Sequence, residues 1–368
     1  MREDYALRYL SRLVKWNESK LSAEVGWLRR ISAYKFDSYQ DFVAGERFIS
    51  ALIRWLGQFK EEDRDFAYKL LREHITFLSA AEIQHLVRRT VPAHFRPLWV
   101  QRVAQELKIA PYEVWATKTS VAAYERLVRR SLFVGLSDGA RMDTFRRANV
   151  GVVSNEQVTV NYEIPSTKLN ALLGELREHT KVTDAQFEMV FLMDDFLGSG
   201  TTLCRQDKEG RWKGKIDQFG EAIKSVCKLC FSDNFEIIIH YYIATQSGLT
   251  RARAKLAEYA AVTTNEHLAK RNFKLTADLV LDDAARFAKG TNPALDKFLV
   301  DYYDPEIMTK SLWKGGCQVQ NGFADGGLTI VLEHNTPNNS LATLWAESTR
   351  PTTHHQMRPL FRRRQRHE

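Results

Sequence analysis

The stretch Met189-Val190-Phe191-Leu192-Met193-Asp194-Asp195-Phe196-Leu197-Gly198-Ser199-Gly200-Thr201-Thr202-Leu203 constrains the fold more than any other part of the chain. Its opening residues, 189–193, are all apolar, with no polar alternation. That pattern predicts a strand buried on both faces, the usual centre of a parallel sheet. Two adjacent carboxylates end the run, and a loop of small residues and two threonines follows. Open α/β sheets bind ligands at this carboxyl end of their strands.

The residue types suit one kind of ligand. Gly198 and Gly200 lack a Cβ, so backbone can approach an anion closely. Consecutive N–H groups in such a loop form an anion-binding concavity, and Ser199, Thr201 and Thr202 add hydroxyl donors. Asp194 and Asp195 would repel the same anion but can accept hydrogen bonds from a diol. A pentose 5-phosphate satisfies both halves. The competing reading is an ordinary buried strand with a polar turn.

A chain of 368 residues can bury a sizeable core and is expected to divide into domains. No apolar run approaches a membrane span, and Met1–Tyr5 lacks the apolar core of a secretory signal, so a cytoplasmic protein without membrane contact is expected. Four cysteines in this length do not suggest a disulfide scaffold, and Cys227-Lys228-Leu229-Cys230 stands without a second pair, which favours a structural role over zinc. The net charge of +8 permits nucleic-acid association without establishing it.

Residues 1–120 read as an all-helical domain. Phe48, Ile49, Leu52, Ile53, Leu56 and Phe59 form one helical stripe, and Ser79-Ala80-Ala81-Glu82 is a capping box. With Arg88 and Arg89 at a helix end, a helix-turn-helix or winged-helix module is one reading, and a packing domain the other. Residues 121–348 carry the α/β pattern, and 349–368 read as a basic, solvated tail. Before the central strand, Leu132–Leu136 and Ser137-Asp138-Gly139-Ala140-Arg141 form a second strand and polar turn. After it, Cys204–Lys215 reads as a hydrophilic loop that places the phosphate on a single helical turn. Lys213 and Lys215 are within reach of a nucleotide, although surface lysines are the commoner case. Phe235–Ile243 predicts another strand, with Thr245-Gln246-Ser247-Gly248 as a third loop on the same rim. Near the end, Asn338 and Asn339 suit hydrogen bonding to a base or a turn, and the face of Trp345 suits stacking.

The apolar strand, Asp-Asp, Ser-Gly and Thr-Thr pattern resembles the phosphoribosyl-diphosphate motif of type I phosphoribosyltransferases. The resemblance implies a mostly parallel sheet flanked by helices, with Asp194 and Asp195 on the ribose hydroxyls and Gly198, Ser199, Gly200, Thr201 and Thr202 on the 5-phosphate. Ser137, Asp138, Gly139 and Arg141 would hold the diphosphate, with Arg146 and Arg147 nearby and Mg²⁺ reached through the ligand and Asp138. Taken with Asn335–Ser340 and Trp345, these segments resemble phosphoribosyltransferase-like effectors of bacterial conflict and anti-phage systems, including retrons. That implies an effector or toxin acting at the ribose anomeric carbon of phosphoribosyl diphosphate or a nucleotide, held inactive by a protein or nucleic-acid partner and able to oligomerise. A nucleotide sensor without turnover, or a DNA-binding component of such a system, is the alternative. No general base for an acceptor stands out; His240 is a candidate against the plainer reading of a structural strand histidine.

Overall fold

The computed structural model describes residues 3–309 and 311–363. The chain divides at Ile83/Gln84 and at Asp282/Asp283, so one compact unit is built from both ends of the chain and the other from its middle. Sequence expectation drew the boundaries linearly, at residues 120 and 348.

The first unit opens with α1 (Glu3–Leu13), α2 (Glu18–Tyr34), α3 (Phe48–Leu56), α4 (Arg64–His74) and a short β1 (Thr76–Leu78). Of the stripe read from the sequence, Phe48, Ile49, Leu52, Leu56 and Phe59 are buried and Ile53 is half-buried; Trp55, outside that stripe, is also fully enclosed. The helical start is therefore interrupted by one strand. α5 (Ala80–Thr90) begins at the expected capping box: Ser79 N donates to Glu82 Oε2 at 2.8 Å, and Glu82 N to Ser79 Oγ at 3.4 Å.

The chain then runs through a π-helical turn, Val91–Phe95, into α6 (Arg96–Leu107). Pro92 lies in that turn, where its missing N–H and ring disturb the regular ladder. There follow α7 (Lys118–Arg129), β2 (Ser131–Gly135), α8 (Met142–Ala148), β3 (Val158–Thr159), α9 (Ser166–Thr180) and β4 (Phe187–Leu197). Next come the hairpin β5 (Arg205–Gln206) and β6 (Trp212–Lys213), α10 (Lys215–Ile223), α11 (Cys227–Cys230), β7 (Phe231–Thr245), α12 (Gln246–Val262) and β8 (Phe273–Leu281). The first unit resumes with α13 (Pro293–Asp301), β9 (Ile330–Leu332) and α14 (Ala342–Trp345).

In the middle unit one sheet has the order β3-β2-β4-β7-β8, with every pair parallel. β4 is its centre, as the apolar run requires, and residues 189–194 are all buried. Val190 and Leu192 face a core formed with Leu172 of α9, Phe219 of α10 and Leu256 of α12. Phe191 points the other way, its ring 4.1 Å from that of Phe95 and 5.1 Å from that of Phe133. Burying a ring of this size contributes about 2–3 kcal/mol. The chain leaves β2 toward β3 on one side and returns to β4 on the other. The gap between the carboxyl ends of β2 and β4 is thus the topological switch point, where doubly wound sheets bind ligands.

Cys227 and Cys230 are buried on α11, and burial pushes both thiols up to about 11, in keeping with a structural pair. In the first unit, β1 pairs in parallel with β9. The expected solvated tail is instead part of that unit's core as far as it is described: Met357, Leu360 and Phe361 are buried, and Phe361 stacks on Phe48 at 5.9 Å. The apolar positions within the basic run outweigh its charge there; Arg364, Gln365, Arg366 and His367 lie outside the described residues. Among the described residues no helix is long and apolar enough to cross a membrane.

Candidate functional site

Both loops singled out in the sequence lie at the switch point. β2 ends at Gly135, and Leu136 N donates to Met193 O at 2.7 Å, which carries the turn Asp138–Ala140 alongside the end of β4. Ser137 caps this turn by accepting from Gly139 N at 3.2 Å. Its hydroxyl also donates to Asp194 Oδ1. Tyr242 of β7 secures the turn from beneath, its hydroxyl 2.7 Å from Ala140 O.

The two aspartates alternate across the sheet, as successive strand residues must. Asp194 is 3% exposed, and its Oδ2 receives Lys215 Nζ at 2.5 Å. Burial pushes the Asp194 carboxyl up, Lys215 pulls it back, and the neighbouring Asp195 pushes it up again. Asp195 is half-buried. A Cβ on Gly139 would sit 2.2 Å from Asp195 Oδ2, so the carboxylate lies directly over a Cα that only glycine can present. The glycine required at 139 thereby brings the 137–141 turn against the Asp195 carboxylate.

The loop after β4 is braced on its far side. Thr245 Oγ1 donates to Gly198 O at 2.6 Å while capping α12 by accepting from Gly248 N at 2.9 Å. A Cβ on Gly248 would lie 2.2 Å from Gly198 O. Gly200 has φ +78°, a conformation that favours glycine. One turn follows, with Leu203 N and Cys204 N donating to Gly200 O at 3.1 and 3.3 Å. Ser199 Oγ and Thr201 Oγ1 are 2.9 Å apart. Among the described residues, the N–H groups of Gly198, Ser199, Gly200 and Thr202 donate to no protein acceptor. Backbone donors are normally satisfied, so a loop holding several unspent ones at a switch point is a ready anion cradle.

The hydrophilic segment after this turn is the β5–β6 hairpin rather than an open loop. It is an insertion into a helix that otherwise continues. Lys215 N donates to Thr202 O at 3.1 Å and Ile216 N to Leu203 O at 3.2 Å, so α10 resumes where the single turn stopped. Gly214 closes the base at φ +127°, where a Cβ would strike Leu203 O at 2.5 Å. The insertion thereby aims Lys215 at Asp194. Sequence reading placed Lys215 within reach of a nucleotide but gave no sign of this carboxylate partner.

Around the mouth, Asp138 is exposed, and Arg141, half-buried, holds the left-handed conformation at φ +52°. Such a conformation in a non-glycine residue costs about 1–2 kcal/mol. Arg146 and Arg147 close the short α8. Among the described residues no three His, Cys, Asp or Glu converge as a metal site.

His240, the candidate general base, is fully buried between strands. Its Nε2 is 2.9 Å from Asp278 Oδ2 and its Nδ1 2.9 Å from Thr276 Oγ1, and burial lowers its pKa. With both ring nitrogens engaged and no solvent path, its role is structural. Asn338, Asn339 and Trp345 belong to the other compact unit. There Asn338 O accepts from Phe323 N at 2.6 Å, Asn339 Nδ2 donates to Phe323 O at 2.9 Å, and the Trp345 indole, 7% exposed, donates to Ser340 O at 2.8 Å. The Asn339 amide and the Trp345 indole thus serve turns and packing, whereas of Asn338 only the backbone carbonyl is engaged.

A parallel sheet with two glycine loops meeting across its switch point defines an α/β protein of the doubly wound type. The family model described as PRTase-CE matches residues 52–363, and the chain belongs to this phosphoribosyltransferase-like family. No curated protein and no solved structure matches the chain.

Proposed function

We propose that the chain binds phosphoribosyl diphosphate or a nucleotide at the switch point and transfers or cleaves at the ribose anomeric carbon. The observation that carries this reading is the pairing, within one rim, of a half-buried carboxylate at Asp195 with the unspent N–H donors of the Gly198–Thr202 loop. Membership of a phosphoribosyltransferase-like family supports a phosphoribosyl ligand. The resemblance of the 135–141, 194–201 and 335–340 segments to anti-phage effectors supports a toxin or effector of retron type, restrained by a protein or nucleic-acid partner.

In this reading Asp195, with Asp194 behind it, accepts hydrogen bonds from the ribose 2- and 3-hydroxyls. Gly198, Ser199, Gly200, Thr201 and Thr202 hold the 5-phosphate; Ser137, Asp138, Gly139 and Arg141 hold the leaving diphosphate. The bond from the anomeric carbon to the diphosphate oxygen, or in a nucleotide to the base nitrogen, breaks and its electron pair departs with that leaving group; an acceptor or water adds to the oxocarbenium-like centre and gives up its proton to the leaving group or solvent. Positioning and charge stabilisation supply the catalysis. Mg²⁺, when bound, would neutralise diphosphate oxygens; the exposed Asp138 suits it, with the ligand and water completing the shell.

Calorimetry with phosphoribosyl diphosphate and Mg²⁺ tests the site. Replacing both aspartates (Asp194→Asn with Asp195→Asn) removes charge-assisted hydrogen bonds worth about 1.5–3 kcal/mol each, enough to weaken binding on the order of a hundredfold or more. Unaltered binding in the double variant would remove the assignment.

One observation favours a second reading, a nucleotide sensor without turnover. Ser137 and Lys215 already engage both oxygens of Asp194. Diphosphate release from phosphoribosyl diphosphate separates the two readings.

A further inference from the structure

We infer a second binding site, for a nucleobase, at the opposite end of the sheet from Asp195. A cavity of about 570 Å³ is lined by Arg96, Trp115, Tyr124, Val128, Arg129 and Ser154, among others. Val128 and Arg129 end the helix that precedes β2, and Ser154 lies just before β3. The cavity therefore sits beside the amino ends of these strands, whereas the candidate site lies at the carboxyl ends. Its volume is in the range of small-ligand pockets.

The lining has the chemistry of base recognition. Trp115 sits on a single 3₁₀ turn, Pro111–Trp115, and is 52% exposed. Tyr124 meets it edge-on with ring centroids 4.8 Å apart, which fixes the indole plane without covering it. An exposed, oriented indole is a stacking platform, and stacking accepts any base because every base has a π-face. Arg96 reaches the Tyr124 side chain. Arg129 adds a second guanidinium to the wall, its Nη2 paired with Glu156 and its Nη1 3.5 Å from Gln157 Oε1. A planar base suits the indole face, and the donors of Arg96 and Arg129 suit its acceptor edge. The net charge of +8 favours a base that carries phosphate.

A base can arrive on a free nucleotide or within a single strand, and the experiment distinguishes them. AMP and UMP are titrated into the full chain by calorimetry, and a fluorescein-labelled ten-nucleotide DNA strand of mixed sequence by anisotropy. At least one probe should bind. Trp115→Ala should weaken that binding about tenfold, the range of base–aromatic stacking. Trp115→Phe should restore most of it, and the Trp115-dependent part should persist when an excess of phosphoribosyl diphosphate occupies the proposed ribose site. Because Trp115 is half exposed, its truncation spares the core. Binding confined to AMP or UMP assigns a free nucleotide. Tighter binding of the strand, weakening as salt rises, assigns nucleic acid. The inference is overturned if no probe binds at low salt, if Trp115→Ala leaves the affinity intact, or if excess phosphoribosyl diphosphate competes away the Trp115-dependent binding.

Discussion

The middle unit holds two buried carboxylates on neighbouring parts of one sheet, and they are used in opposite ways. Asp278 on β8 is fully enclosed, and four side chains meet it. Arg89 Nε and His94 Nε2 lie 3.1 and 3.0 Å from Oδ1; His240 Nε2 and Thr90 Oγ1 each lie 2.9 Å from Oδ2. Asp194 is almost as deeply placed but has one cation and one hydroxyl, and its neighbour Asp195 opens toward the loops. A saturated carboxylate has no capacity left for a ligand. It ties α5 and the π turn to strands β7 and β8. At the rim, Ser137 and Lys215 meet one oxygen each of Asp194, and Asp195 accepts from Phe196 N at 2.8 Å while lying against Gly139. In the proposed reading a diol is the further partner of this pair, whereas Asp278 is met by protein alone.

The largest expected effect breaks the comparison from the structural side. Asp278→Asn leaves two histidines and an arginine without their acid, and losing one member of a buried ion pair costs about 3–5 kcal/mol. Urea unfolding should show that loss, while calorimetry on the surviving folded protein should give the parent affinity for phosphoribosyl diphosphate. The pH dependence has a definite sign. Burial would raise the Asp278 carboxyl, but hydrogen bonds from His240 and His94 hold it at about 2. A depressed acid contributes stability above its unfolded pKa, and that contribution is lost as pH falls toward about 2. For Asp278 it amounts to roughly 2 kcal/mol, lost below about pH 4. His240, kept neutral by burial, also lowers stability as pH falls below its ordinary value. Asp278→Asn should erase the acid limb and keep the histidine limb. A full acid limb in the variant would show that other carboxylates set it.

Only one of the two clusters was legible in the sequence. The rim announced itself because an apolar run ending in Asp-Asp, followed by small residues and threonines, is local, and its strand is buried on both faces. Leu132–Leu136 was legible as a second strand with a polar turn; that it pairs beside the central strand at a switch point came only with the fold. The Asp278 cluster draws on residues 89–94, 240 and 276–278, and no short-range pattern links them. β8 alternates Phe273, Leu275, Ala277 and Leu279 with Lys274, Thr276 and Asp278, an edge-strand pattern in which polar side chains find buried partners only after folding. The hairpin at 205–213 hid for another reason: two-residue strands carry no periodicity. Lys215 was visible only as a lysine; the interrupted helix alone brings it to Asp194.

A smaller effect sharpens the comparison from the functional side. Lys215 opposes the burial that pushes Asp194 up. Lys215→Met removes that opposition, so the carboxyl rises further. A ligand that needs the ionised pair then loses affinity at a higher pH than in the parent. The affinity for phosphoribosyl diphosphate measured from pH 5 to 8 (on the order of a working buffer range) should show its acid limb displaced upward. An unmoved limb would mean that Asp194 takes no part in binding and that Asp195 acts alone.

The smallest effect concerns how the rim stays open. A loop with unspent donors is prone to collapse onto its own carbonyls, and Thr245 opposes this by holding Gly198 O from the next strand. Thr245 Oγ1 also caps α12 by accepting from Gly248 N. Thr245→Ala removes both bonds, and loss of an N-cap costs about 1 kcal/mol. Thermal unfolding should register a decrease of that size, well short of the Asp278 variant. Phosphoribosyl diphosphate affinity should fall several-fold, because the cradle must then be ordered by the ligand itself. If affinity falls while Thr245→Ser restores it, the hydroxyl is organising the loop; if stability falls and affinity does not, the brace serves the helix alone, and the cradle keeps its shape from Gly200 and the turn that follows it.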